Sequence, residues 1–470
     1  MENTRENLGN IPPNNIDAEK SVLGCMLLVE NDDAVSNAID SLKPEDFYVP
    51  AHKAIFGAVR NLWTSRVPVD IISLTEELKK TDKLEKIGGV PYLSSLVEIV
   101  PSASNNKYYI DIVKEKSLLR QLINASTTIS SMAFNEDDNA QNIIDKSESL
   151  IYNISNSNSS ENFKPVQPLL MGMYDWIDER TKHKGTPPGL NTGFRDLDNI
   201  TGGLQKGELI ILAARPSMGK TALAMNIALN SALRSKATVA VFSLEMGAES
   251  LTKRMVASEA KADMQTFKKG NFEQTELDKI VKACANIHNT SMFIDDTTII
   301  TPINMLSKCR KLKSEQGKLD LIVVDYLQMV SSPQDYKDNR VLEISMISRG
   351  LKTLAREMDC PVISLAQLSR AVENRPDKRP MLSDLRESGA IEADADIVLM
   401  LYRPKYYEKK ELIANTPEDE VPAEPQEDDE NEIAELIVAK HRNGPTGTIN
   451  LNFVSKYVSF YGVETMVREN

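Results

Sequence analysis

The chain has 470 residues, 41% hydrophobic and 26% charged, close to the averages of globular proteins. That excludes a wholly disordered chain, a collagen-like repeat or a stapled mini-protein, and it allows about three domains. Lys and Arg total 55 against 68 Asp and Glu, a net charge of -13, which excludes a uniformly basic coat; nine of the acidic residues fall within 418–432, and setting them aside leaves a near balance that permits a locally basic channel.

Residues 1–15 are polar, without the apolar run of a secretory signal. No apolar stretch approaches the ~20 residues that span a bilayer. The four cysteines, Cys25, Cys284, Cys309 and Cys360, form no CxxC pair, which favours a reducing compartment. A cytoplasmic protein that does not contact membrane is the expectation. Cys284 and His288 stand one helical turn apart, with Asp295 and Asp296 following, but a zinc site needs more soft ligands than these.

In chain order, residues 11–154 are expected to form an all-α domain. Pro12 and Pro13 precede Asn15, a helix N-cap candidate, and Ala18, Val22, Cys25 and Met26 then share one face. Ala51, Ile55, Val59 and Leu62 repeat the spacing, a long helical pattern runs from Asn106 past Ile129, and Ile143, Ile144, Leu150, Ile151 and Ile154 make another. No catalytic constellation lies here, so docking or oligomerisation is the plain reading. Residues 155–185 read as a linker carrying a short helix, with Leu169, Met173, Trp176, Ile177 and Arg180 on one stripe. The spacing leaves open whether that stripe packs on its own domain or on a neighbouring subunit.

From residue 186 to about 465 short β-rich runs alternate with helical patterns, which predicts an α/β domain with a largely parallel sheet. Strands are expected at 208–213, 238–244, 292–295, 319–325, 361–365 and 396–401. A hairpin at 435–440 and 448–453, turning at Gly444-Pro445, extends the sheet. The acidic tract, about 411–432, is expected to be a loop.

The first of these strands leads into Ala214-Arg215-Pro216-Ser217-Met218-Gly219-Lys220-Thr221 and then an Ala-rich helix. This is a P-loop in its strand–loop–helix setting. Ser217, Met218, Gly219, Lys220, Thr221 and Ala222 are the expected nucleotide-binding set: backbone N–H groups at a helix N-terminus favour phosphate, Lys220 adds a point charge, and the Thr221 hydroxyl can ligate Mg²⁺. Asp325, ending the apolar strand Leu321-Ile322-Val323-Val324, would hold that Mg²⁺ through water. Glu245, at the end of the second strand, is the candidate to activate water; an exposed helix-start glutamate is its plain alternative. Gln367, past the end of another strand, could sense the γ-phosphate or couple it to DNA.

Several segments carry a wider likeness: Leu204-Gln205-Lys206-Gly207-Glu208, the P-loop itself, Ser243-Leu244-Glu245-Met246, Asp325-Tyr326-Leu327-Gln328, Asp384-Leu385-Arg386-Glu387-Ser388-Gly389 and Lys440-His441-Arg442-Asn443-Gly444-Pro445. With Ile11-Pro12-Pro13, Asp46-Phe47-Tyr48 and Pro101-Ser102-Ala103 they cover nearly the whole chain, which closely resembles the bacterial replicative DNA helicases of the DnaB type. The resemblance implies a RecA-like, ATP- and Mg²⁺-dependent motor domain, a helical N-terminal collar, and a homohexamer around single-stranded DNA that unwinds forked duplex, 5′ to 3′. It implies that the 169–183 helix docks on the adjacent motor, that Lys440 and Arg442 act in trans on the neighbour's nucleotide, and that Arg254 contacts the base. Arg386, Glu387 and Gly389 would touch the DNA backbone, and the collar would meet primase and a helicase loader. The rival readings are a RecA-like recombinase or an ATP-switched DNA clamp without unwinding, and a nucleotide-bound scaffold.

Overall fold

The computed structural model describes residues 11–28, 32–100, 105–135, 139–156, 166–182, 187–331, 340–385, 389–408 and 431–463. The chain divides into two compact units, residues 1–165 and 166–470. No described helix is long and apolar enough to cross a membrane.

The first unit is helical: α1 (Ile16–Leu27), α2 (Asp32–Ser41), α3 (Pro50–Thr64), α4 (Ile71–Lys80), α5 (Gly89–Glu98), α6 (Asn106–Asn135) and α7 (Ala140–Asn156). The Asn15 side chain caps α1 by accepting from the Ala18 N–H at 3.0 Å, satisfying a helix-end donor that has no intrahelical partner. The stripes expected from periodicity meet in one core, where Phe47 and Phe56 pack with ring centroids 4.9 Å apart. A polar network is enclosed in it. Glu19, 2% exposed, accepts from the Tyr48 N–H at 2.6 Å and lies 2.6 Å from His52 Nδ1, whose Nε2 is 2.7 Å from the Tyr92 hydroxyl. Arg120 of α6 donates to the carbonyls of Pro13 and Asp46, and Ser117 donates to Asp46 Oδ1 at 2.6 Å. The Pro12-Pro13 and Asp46-Phe47-Tyr48 segments are thus tied to one helix.

The second unit begins with α8 (Val166–Lys182), followed by α9 (Arg195–Thr201) and a nine-stranded sheet. Its strands are β1 (Leu209–Ala214), β2 (Thr238–Ser243), β3 (Ser291–Asp295), β4 (Leu321–Asp325), β5 (Val362–Gln367), β6 (Ile397–Tyr402), β7 (Asn431–His441), β8 (Gly447–Val454) and β9 (Ser459–Gly462). The order is β3-β2-β4-β5-β1-β6-β7-β8-β9; the first six are mutually parallel and the last three antiparallel. The crossover helices are α10 (Lys220–Ser235), α11 (Ala248–Ala260), α12 (Met264–Lys269), α13 (Gln274–His288), α14 (Pro302–Gln316), α15 (Arg340–Met358) and α16 (Gly389–Asp394). Strands β1, β2 and β4 are buried along their whole length, as continuous apolar runs covered on both faces must be.

Two features depart from the sequence expectation. Strand β9 carries no strong pattern of its own, being only four residues long. Asn431 and Glu432, counted by composition with the acidic loop, belong to β7, and Glu432 is 3% exposed because an arginine partners it. The rest of that tract, 411–430, lies outside the described residues. On α8, Val166, Leu170, Met171, Met173, Tyr174 and Ile177 are all at least half exposed within this single chain. The side chains of Leu169, Trp176 and Arg180 lie outside the description.

Candidate active site

The P-loop connects β1 to α10 at the carboxyl end of the parallel strands, the edge where such sheets collect ligands. Two of its residues take left-handed backbone: Ser217, with φ +66°, and Gly219, with φ +95°. The φ at Gly219 favours glycine, and a Cβ there would sit 3.0 Å from Cε2 and Cζ of Phe460, so the ring would have to give way slightly. Met218 is 1% exposed with its side chain in the core, so only its backbone faces the loop, and its N–H donates to the Arg215 carbonyl at 3.3 Å. Ala222 is buried in the first turn of α10.

Lys220 is nearly enclosed. Its Nζ lies 3.4 Å from Asp325 Oδ1, 3.5 Å from Glu245 Oε2 and 4.2 Å from the centroid of the Tyr326 ring. The Thr221 hydroxyl donates to Asp325 Oδ2 at 2.8 Å. Asp325 is 2% exposed, and burial pushes its carboxyl above the usual range, against the pull of Lys220 and Thr221. Glu245 is exposed. Its strand follows β1 in sequence, yet β4 and β5 separate the two in the sheet. Register brings Glu245 to the site: Ser243 pairs with Asp325, and the Leu244 N–H donates to the Asp325 carbonyl at 2.7 Å.

Gln367 ends β5 opposite Ala214 of β1. Its backbone N–H donates to Gln328 Oε1 and its carbonyl accepts from Gln328 Nε2, both at 3.3 Å. That ties the ends of β4 and β5 together beside the loop. Arg254 of α11 lines a cleft with Thr221, Ala222, Met225, Ser258 and Val458, on the flank of α10.

Lys440 and Arg442 lie elsewhere. Val398 and Ile397, at the start of β6, pair with Lys440 and His441, which puts both cations at the opposite edge of the sheet from the P-loop. Strand β1 alone separates the edges by roughly 17 Å. Lys440 donates to the Glu392 carbonyl, and burial with the neighbouring Arg442 lowers its pKa. Arg442 donates to the Ala393 carbonyl and to Asp396 Oδ1 at 3.3 Å, while Asp396 Oδ2 also accepts from Lys352 at 2.5 Å and from the Leu209 N–H at 2.8 Å.

Arg386 and Glu387 lie outside the described residues. Gly389 begins α16, exposed, with open space beside its Cα. At the near end of that loop Asp384 is buried, accepting from Arg375 at 2.6 Å and from the Met381 N–H at 2.7 Å.

Sequence reasoning missed the residues that brace the P-loop. Arg215, 8% exposed, donates to Glu373 and to the Leu368 carbonyl, each at 2.8 Å. Arg403 and Glu432 approach from the other side, above Phe453 and Phe460. Asn226 Oδ1 accepts from the Phe460 N–H at 2.8 Å, fixing β9 to α10. These partners come from distant segments and leave no local signal.

As it stands, the arrangement offers a cation flanked by two carboxylates at a helix N-terminus. A triphosphate fits that chemistry, and so does a divalent ion held mainly by phosphate and water with one hydroxyl and one carboxylate from the protein.

Comparison with known proteins gives a consistent result. The profile described as "DnaB-like helicase C terminal domain" matches residues 189–462, and "DnaB-like helicase N terminal domain" matches 11–115. The chain is 43% identical over 454 residues to "Replicative DNA helicase DnaC" of Bacillus subtilis, covering 97% of this chain and 96% of that one. It is 44% identical over 455 residues to "Replicative DNA helicase DnaB" of Geobacillus stearothermophilus, with the same coverage. Among solved structures, "The Structure Of A DnaB-Like Replicative Helicase And Its Interactions With Primase" superposes with a TM-score of 0.73 at 33% identity, covering 96% of this chain and all of that one.

Proposed function

The chain belongs to the DnaB-like family of ATP-dependent replicative DNA helicases, and from that premise we propose which residues run the motor and how they are shared between subunits. ATP binds with its phosphates on the 217–222 backbone and on Lys220. Thr221 and, through water, Asp325 would hold Mg²⁺, which supplies charge neutralisation between phosphate oxygens. Glu245 orients and deprotonates the attacking water, and Gln367 senses the γ-phosphate at the end of β5. Arg254 lies beside the base.

Lys440 and Arg442 act on the nucleotide of an adjacent subunit. The observation that carries this is their position at the far edge of the sheet from their own P-loop. To reach a neighbour's phosphate, Arg442 exchanges Asp396 and the Ala393 carbonyl for phosphoryl oxygens, a charge its fork can meet with two donors. The exposed apolar stripe of α8 docks on the adjacent motor and links six subunits into a ring. The ring encircles single-stranded DNA, with Arg386, Glu387 and Gly389 on the backbone. Phosphate contacts carry no sequence code, which suits a motor that must pass any sequence. The N-terminal unit receives primase and a helicase loader. The enzyme works in the cytoplasm.

Opening duplex needs about 1.4 kcal/mol of stacking per base-pair step, so movement is coupled to hydrolysis. The test is a forked duplex with a biotin–streptavidin block on one arm or the other. Unwinding is expected to require ATP and to stop only when the block lies on the strand tracked 5′ to 3′. Equal arrest by either block would overturn the single-strand ring.

A further inference from the structure

The underside of the P-loop is built by the carboxyl-terminal hairpin. Arg403 follows β6 directly and is 7% exposed; Glu432, the second residue of β7 and paired with Phe453 of β8, is 3% exposed. Arg403 Nη2 and Nε donate to Glu432 Oε2 at 2.6 and 3.0 Å, and Nη1 donates to the Ser217 carbonyl at 3.3 Å. The guanidinium carbon lies 3.9 Å from the centroid of Phe453. Phe453 packs on Phe460 at 4.7 Å, and Phe460 is the ring that a Cβ at Gly219 would crowd.

The physical consequence concerns one peptide plane. Ser217 holds a left-handed conformation, which a side chain adopts stably only where its surroundings over-determine it. The Ser217 carbonyl and the Met218 N–H share a planar peptide, so fixing one end fixes the other. Arg403 holds the carbonyl end, and the Arg215 carbonyl accepts from the N–H end. Arg403 can do this only if its buried charge is matched, and Glu432 matches it out of water, accepting from Nε and Nη2. The pair is neutral as a unit, so it orients the loop without adding net positive charge.

We propose that Arg403, oriented by the buried carboxylate of Glu432, is a positioning residue for nucleotide binding: the pair locks the Ser217–Met218 peptide and so preforms the P-loop for the phosphates. This rests on the reading of residues 217–222 as the phosphate site. A lysine at 403 can keep an ion pair with Glu432, but one ammonium cannot reproduce the two-donor fork to Glu432 and also the Nη1 bond to the Ser217 carbonyl.

The experiment uses the full-length chain with Arg403→Lys and, separately, the neutral pair Arg403→Gln with Glu432→Gln, which leaves no lone buried charge. Steady-state ATP hydrolysis gives KM and kcat; melting without nucleotide gives stability. Both variants are expected to raise KM for ATP about tenfold, the size of one lost hydrogen bond in a charged network, with kcat little changed. Reversible partial unfolding would also raise the apparent KM, so the rise counts only in variants that melt well above the assay temperature without nucleotide. A parental KM in the variants, whether or not kcat or the melting temperature falls, makes the pair merely structural and overturns the proposal. Lys220→Ala, run alongside with a fluorescent ADP analogue, separates the two levels. If Lys220→Ala binds the analogue normally, the phosphate site itself is misassigned; if it loses the analogue while Arg403→Lys keeps it, only the positioning role fails.

Discussion

Lys220→Ala is expected to lower ATP hydrolysis by at least about 10²–10³-fold, the range for removing one preorganised charge from a reacting centre, and to abolish fork unwinding. Lys220 is the only cation within 4 Å of both Asp325 and Glu245 among the described residues. Its ammonium is nearly shielded from water, and the Tyr326 ring covers it at 4.2 Å. There its attraction for phosphate is much less screened than at the surface. Alanine leaves two carboxylates facing incoming phosphates with no lysine between them. The Asp325 carboxyl, already raised by burial and opposed by Lys220, then rises further, which weakens it as an anionic partner for Mg²⁺. Phosphate release and a gel-resolved forked duplex read the two losses. ATP-driven unwinding by Lys220→Ala at the parental rate would show that the motor draws on another site.

Arg442→Ala is expected to behave differently. Nucleotide affinity should stay near that of the parent, because the chain's own P-loop lies across the sheet and keeps every contact described for it. The rate should fall about 10³–10⁵-fold, as for other phosphoryl-transfer enzymes deprived of an arginine donated from outside the P-loop. Binding of a fluorescent ADP analogue and single-turnover hydrolysis separate the two quantities. Single-turnover hydrolysis at the parental rate in a folded Arg442→Ala protein would remove the arginine from the reacting centre.

The part of the fold set by local chemistry was legible in the sequence. Strands β1, β2 and β4 are apolar runs because both faces are covered, and the P-loop is a contiguous strand, Gly-Lys-Thr and helix. Asp325 and Glu245 could be read as strand ends. Their convergence on Lys220 could not, because it depends on β4 lying beside β2, and strand order is written in no single segment. The bracing residues are farther out of reach: Arg403 and the Ser217 carbonyl are 186 residues apart, and Arg215 and Glu373 are 158 apart. Glu432 was counted with the acidic loop because composition averages over a window, whereas burial turns on the single arginine opposite it. For Lys440 and Arg442 the spacing gives only strand-end charges; the sheet puts them at the opposite edge from the P-loop.

The most direct measurement mixes Glu245→Gln chains with Arg442→Ala chains and follows ATP hydrolysis as the ratio is varied. Each protein alone is expected to be nearly inactive. In a random equal mixture about a quarter of the head-to-tail interfaces combine an intact Glu245 with an intact Arg442, so hydrolysis should recover to a maximum near that ratio. A mixture no more active than its separate components, with subunit exchange confirmed by native mass, would mean that each chain completes its own site.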